Sequence, residues 1–140
     1  MHIQLATSDE ELRACFPVML ELRPQLGSAE AFVAQVRRQE AESHFQLAYV
    51  ADPAVKAVAG IRVAEWLPSG VCLEIEDLAT LAGERSKGYG GALFDWVVAY
   101  AKERGCKELK LASHVARFDA HRFYFSKRMR ILGYHFTLDL

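Results

Sequence analysis

Two groups of residues in this chain are spaced for chemistry: carboxylates inside an apolar strand, and glycines at the start of a helix. Glu74 and Glu76 stand two apart in the run Val-Cys-Leu-Glu-Ile-Glu-Asp-Leu-Ala-Thr. In an extended chain they share one face, and Asp77 takes the other unless a bulge intervenes. A wet sheet face would explain them without function. A carboxylate set against apolar walls and beside a like charge would instead have its pKa raised, toward the range in which it can accept a proton at neutral pH. The second group is Arg85, Ser86, Lys87, Gly88, Tyr89, Gly90, Gly91 and Ala92. Glycines let the backbone turn and approach a ligand closely, and the first turn of a helix offers unpaired amides and a positive dipole end to a phosphate. Arg85 and Lys87 add cationic side chains nearby.

The elements on either side fit that reading. Residues 71–80 form an apolar strand-like run, and Leu93, Phe94, Val97, Val98 and Ala101 fall on one helical face, so the glycines lie between strand and helix. The spacing of Gly88, Gly90 and Gly91 is neither GxGxxG nor GxxxxGK followed by Ser or Thr.

Around this centre the chain reads as alternating elements. Residues 2–7 alternate as a short strand, and Ser8 with Glu11 makes a capping box for a helix carrying Leu12, Cys15, Phe16, Met19 and Leu20, with a kink or break expected at Pro17. Ser28 caps a second helix bearing Phe32, Val33 and Val36. Residues 45–51 and 55–66 are strands joined at Asp52 and Pro53, and 71–80 completes a meander. The helix after the glycines should stop at Gly105. A strand over 107–112 should then run parallel to 71–80, since a helix crosses between them. A helix starting near Asp119 follows, and Tyr134, Phe136 and Leu138 alternate as a closing strand.

The loop fits the pattern R/QxxGxG/A from Arg85 to Gly90, and 120–124, Ala-His-Arg-Phe-Tyr, fits AxxFY about 30 residues later. Together these resemble the acetyl-CoA-binding loop and the later tyrosine helix of the GNAT superfamily of N-acetyltransferases. The resemblance is specific from about Val71 to Tyr134. It implies an α/β fold, a GNAT-like acyl-CoA N-acyltransferase with a mixed, mostly antiparallel sheet flanked by helices, formed by residues 1–140 as a single domain. It also implies acetyl transfer from acetyl-CoA to a primary amine by direct attack in a ternary complex. In that reading the 85–92 loop holds the pyrophosphate, strand amides around Leu78, Ala79 and Thr80 align the pantetheine, and Arg117 takes a cofactor-contacting position that many relatives give to asparagine. Some relatives place a glutamate base eleven positions before the loop, which here is Glu74; Glu76, nearer the gap, ranks slightly ahead. Tyr124 is the acid for the departing thiolate, although on spacing alone it also fits an aromatic core with Phe118, Phe123 and Phe125. The chain departs from the family after Tyr124, where Arg128 and Met129 replace a usual glycine and aromatic.

Bulk properties bound the alternatives. One hundred and forty residues with 51% hydrophobic content suit one globular domain. Seventeen basic against eighteen acidic side chains leave a net charge of -1, so nucleic acid is not the expected partner, and the basic residues Arg117, Arg122, Lys127, Arg128 and Arg130 read as a solvated helix face. Cys15, Cys72 and Cys106 form no CxxC pair and read as free thiols, and none is singled out as a nucleophile. His114 and His121, seven apart with no third ligand, give no reason to expect a metal. No targeting segment or membrane-length apolar run is evident, so a cytoplasmic location and no membrane partner are expected. The alternative function is a non-catalytic acyl-CoA-binding or regulatory module. The amine acceptor, small molecule or peptide, and the oligomeric state, a homodimer included, stay open at this level.

Overall fold

The computed structural model describes residues 1–140 and divides into two compact units, Met1–Lys110 and Leu111–Leu140. The sheet has five strands: β1 (His2–Leu5), β2 (Phe45–Ala51), β3 (Val55–Trp66), β4 (Gly70–Thr80) and β5 (Glu108–Leu111). They lie in sequence order, β1 to β4 paired antiparallel, and β5 joins β4 to make the sheet mixed. Four helices accompany it: α1 (Asp9–Leu22), α2 (Ala29–Ser43), α3 (Tyr89–Glu103) and α4 (Phe118–Ser126).

Both faces of the central strands are covered. Phe45, Leu47 and Tyr49 of β2 and Val58 of β3 form one core with Leu12, Cys15, Val18 and Met19 of α1 and Phe32, Val33 and Val36 of α2. The residues between them, Ala48, Val50, Ala57, Ala59 and Ile61, are also buried, so alternation turns them to the opposite face. There α3 supplies Leu93, Phe94, Val97 and Ala101, and the Tyr100 hydroxyl donates to Gln46 Oε1 at 2.7 Å. Strands buried on both faces read as near-continuous apolar runs, which is why β2 and β3 lack a clean alternation in sequence.

The helix signals are realised with one correction. Ser8 and Glu11 form the capping box. Helix α3 ends in a Schellman motif: Gly105 adopts φ 72°, its amide reaches Lys102 O at 3.1 Å, and the Cys106 amide reaches Ala101 O at 3.0 Å. Pro17 does not break α1, which runs through it to Leu22. Only one amide is missing there, and the buried Val18 and Met19 just beyond hold the last turns on the sheet.

In the second unit, α4 ends with Lys127 at its C-cap and Arg128 in the left-handed region at φ 65°. The expected closing strand does not form: residues 129–140 are in no helix or strand. Alternation states which side of a strand would be buried, but the strand itself needs an edge to pair with.

Candidate active site

The carboxylates meet on the face of the sheet that carries α1 and α2, because β4 holds one residue too many. Gly60 pairs with Asp77 and Ile61 with Ile75, so Glu76 has no partner in β3. This bulge is the exception that strand alternation allowed for, and it turns Asp77 to the side of Glu74 and Glu76. A Cβ on Gly60 would collide with Asp77 Oδ2 and lie 2.8 Å from the Phe45 ring, so this close approach needs glycine.

Two arginines answer the three acids. Arg62, paired in register with Glu74, places Nε 3.0 Å from Glu76 Oε1, an ion contact whose N–H direction misses hydrogen-bond geometry, and Nη2 3.4 Å from Oε2. Arg23, at the end of α1, donates to Asp77 Oδ1 at 2.8 Å and to the Glu76 carbonyl at 3.1 Å. Burial pushes the pKa of Glu76 above the ordinary carboxylate value, Arg62 opposes the rise, and Asp77 and Glu74 add to it.

The glycine loop is anchored at its base and open at its tip. A 3₁₀ turn, Ala82–Glu84, places Glu84 between Lys56 and Lys87, both at 2.8 Å. Those two ammonium groups hold Glu84 at a pKa of about 2. The Ala82 amide donates to Glu21 Oε2 of α1 at 2.9 Å, and the Tyr89 hydroxyl donates to Asp52 at 2.8 Å. Lys87 is therefore shared with Glu84, whereas Arg85 is exposed and has no carboxylate partner. Ser86 takes φ 64° and Gly88 φ 90° to turn the chain into α3.

The start of that helix suits an anion. No side chain caps α3 and its first turn contains no acidic residue. The first bond of the helix is Ala92 N to Gly88 O at 2.9 Å, so the amides of Tyr89, Gly90 and Gly91 precede the helical ladder. Added bulk at Gly88 would meet nothing within 4 Å, while a Cβ on Gly90 would stand 3.0 Å from Thr80 Oγ1. The helix start thus lies against the end of β4.

That end of β4 has a free edge. Lys107 N donates to Val71 O at 2.8 Å, which sets β5 beside the beginning of β4, and β5 stops at Leu111. Leu78, Ala79 and Thr80 pair with Ala59, Val58 and Ala57 of β3, but their outer edge lies beyond the four residues of β5. Strand amides are therefore available beside the helix start.

Tyr124 and Arg117 belong to the second unit and sit together there. Burial raises the Tyr124 pKa, and the Arg117 guanidinium beside the hydroxyl works the other way. Among the thiols, burial pushes Cys15 up to about 12, which removes it as a thiolate at neutral pH.

Sequence reasoning missed Arg62, Arg23, Lys56 and Glu84. Arg62 carried a signal, being the one charge within Val-Ala-Gly-Ile-Arg-Val-Ala, two residues after a strand glycine. Arg23 carried none, since its partner Asp77 is 54 residues away.

Comparison with known proteins bears on the family and the fold. The uncharacterized N-acetyltransferase YhdJ of Bacillus subtilis (strain 168) is 35% identical over 128 residues, 91% of this chain and 89% of that one. A transcriptional regulator from Bacillus halodurans C-125 superposes with a TM-score of 0.85 at 20% identity over 99% of both chains. The aminoglycoside N-acetyltransferase AAC(6')-Iy, solved in complex with CoA, superposes with a TM-score of 0.76 at 15% identity, covering 98% of this chain and 96% of that one. At those identities the two structures speak for the fold alone. The acetyltransferase (GNAT) family profile matches residues 8–129, and with the YhdJ similarity this establishes that the chain belongs to the GNAT family of acetyltransferases.

Proposed function

We propose that this chain transfers the acetyl group of acetyl-CoA to a primary amine, on a small molecule or a peptide, by direct attack while both are bound. The observation that carries the reading is the uncapped, acid-free start of α3 lying against the free-edged end of β4. Such a pair can hold a pyrophosphate on helix amides and an amide-bearing arm on strand amides. Acetyl-CoA supplies the acyl group as a thioester.

The residues then divide the work. Amides of the 85–92 loop and the Arg85 guanidinium hold the pyrophosphate, and the edge at Leu78, Ala79 and Thr80 aligns the pantetheine arm. Arg117 contacts the cofactor arm. Glu76, or Glu74 beside it, takes the proton from the attacking amine, and Tyr124 donates one to the departing thiolate. Holding two reactants in line is worth about 7–11 kcal/mol, so positioning supplies most of the rate. Residues 1–140 act in this reading as one acetyltransferase domain. A cytoplasmic location is in keeping with its three free cysteines, and no helix is long and apolar enough to cross a membrane.

The test is thermal unfolding with and without acetyl-CoA, followed by CoA release across an amine panel. Ligand at about 100 times its Kd adds about 2.7 kcal/mol, a shift of several degrees. Arg85→Glu should weaken acetyl-CoA binding about tenfold or more and leave the unliganded midpoint unchanged, because Arg85 is exposed and unpaired. No shift in the wild type removes the reading. A shift with no CoA release from any amine would instead support a non-catalytic acyl-CoA-binding module.

A further inference from the structure

A cavity of about 540 Å³ opens at the end of the sheet where β1 stops and β2 begins. Leu5, Phe45, Val63 and the Tyr100 ring supply its apolar walls, so β1, β2, β3 and α3 all border it, and it belongs to the first unit alone. That volume falls within the roughly 300–1,000 Å³ of small-molecule sites and is far more than a bare ion fills. Helix α3 has 15 residues, so at about 1.5 Å each roughly 22 Å separate its C-terminal end, which borders this cavity, from the glycine loop at its start.

The polar groups along the walls differ in whether they already have partners. Arg37 donates to Asp9 Oδ1 at 2.7 Å, to the Thr7 carbonyl at 3.0 Å and to Glu40 Oε2 at 2.9 Å, and so occupies Glu40, the one carboxylate of the lining. The helix ends that border the cavity are closed as well. The His44 amide donates to the Gln39 and Glu40 carbonyls of α2, and the Gly105 and Cys106 amides donate to the Lys102 and Ala101 carbonyls of α3. Donors are what remain. Arg104 is exposed, lies over the Tyr100 ring at 4.8 Å and has no carboxylate partner. Gln46 accepts the Tyr100 hydroxyl on Oε1 at 2.7 Å, which leaves the N–H groups of its Nε2 without a partner. Tyr100 therefore anchors both free donors, Arg104 by its ring and Gln46 by its hydroxyl.

We propose that this cavity binds a small organic carboxylate, with the Arg104 guanidinium and the Gln46 amide holding the carboxylate and an apolar body lying against Leu5, Phe45 and Val63. A guanidinium is planar, and its paired N–H donors match the two oxygens of a carboxylate. A cationic ligand would meet free donors and a Glu40 already paired with Arg37, and an uncharged apolar ligand would bury the donors without an acceptor. Stacking on Tyr100 orients Arg104 in advance, which lowers the cost of ordering it around a ligand.

The site stands apart from the acyl-CoA machinery, so its test needs no turnover. Ligand-observed NMR titrations of the whole chain with benzoate, phenylacetate and hexanoate should show binding, and benzylammonium and inorganic phosphate should bind about tenfold more weakly or not at all. Arg104→Glu should weaken the carboxylates about tenfold or more. Gln46→Glu, which keeps an acceptor for Tyr100 and replaces the free donors by a like charge, should do the same. Arg104 is exposed, so an unchanged thermal midpoint of its variant reports an intact fold. Saturating acetyl-CoA should leave carboxylate binding unchanged. A wild type that takes none of the three carboxylates overturns the proposal, as does binding that both variants retain. Displacement by acetyl-CoA overturns it too, since the carboxylate would then occupy the acyl-CoA site, and phosphate binding as tight as that of the carboxylates would reduce the cavity to a simple anion site.

Discussion

Arg62 Nε lies 3.0 Å from Glu76 Oε1, and Glu76 is the one residue of β4 that the bulge leaves without a partner in β3. The bulge therefore frees the carboxylate from the regular pleat, and the arginine sets its charge. Burial alone favours the neutral acid, as do Asp77 and Glu74, while Arg62 and Arg23 favour the anion. The balance leaves Glu76 above the ordinary carboxylate value.

A base works only when deprotonated, so kcat/KM should rise with pH through a midpoint above the ordinary carboxylate value of 4.5. Glu76→Gln should lower kcat about 10²–10⁴-fold and abolish that limb. Arg62→Gln, which removes the main counter-charge, should move the limb to higher pH. A profile that neither substitution alters would assign the proton transfer to another group.

Tyr124→Phe keeps the ring and removes the proton. Its expected signature is a lower kcat with acetyl-CoA binding unchanged, read from steady-state kinetics beside the thermal shift. Equal turnover in wild type and variant would leave Tyr124 as a packing residue of α4, in line with its contact to Phe123, where the ring centroids are 5.7 Å apart.

Gly60→Ala tests the bulge itself. The added methyl would collide with Asp77 and lie 2.8 Å from Phe45, and Phe45 is buried, so neither the strand nor the ring can yield cheaply. The expected loss is about 1–3 kcal/mol in denaturant unfolding, together with reduced turnover as the acids shift. Full stability would mean that the strands separate more freely here than their packing implies.

Glu11 supplies a pH test of the fold. Its carboxylate accepts from the Tyr49 hydroxyl at 2.8 Å, from Gln4, and from the Ser8 amide at 3.1 Å, and the bonds from Tyr49 first, then from Ser8 and Thr7, hold its pKa at about 2. A depressed carboxylate stabilises the fold above its unfolded value, and that contribution is lost as pH falls from about 4.5 toward about 2. Glu11→Gln should therefore cost about 1–2 kcal/mol at neutral pH, and the gap to wild type should close across that acidic window in urea titrations. A gap that stays constant with pH would place the cost in packing.

The sequence by itself determined the local pieces. Ser8 with Glu11 and Gly105 set helix ends, because capping needs only residues within one turn. The glycines at 88 and 90 marked the helix start, because turning the chain through φ 90° and lying against Thr80 are demands on the backbone that glycine meets. The family, too, was legible from two short motifs. Tertiary structure decided what depends on pairing between distant strands. Alternation placed Glu74 and Glu76 on one side, but only the Gly60 to Asp77 register created the bulge that adds Asp77, and only the return of α1 and β3 brought Arg23 and Arg62 to those acids. The tail shows the same division. Its period-two pattern from Tyr134 to Leu140 is strand chemistry, yet residues 129–140 form no strand within the chain, because a strand exists only where another edge offers its hydrogen bonds.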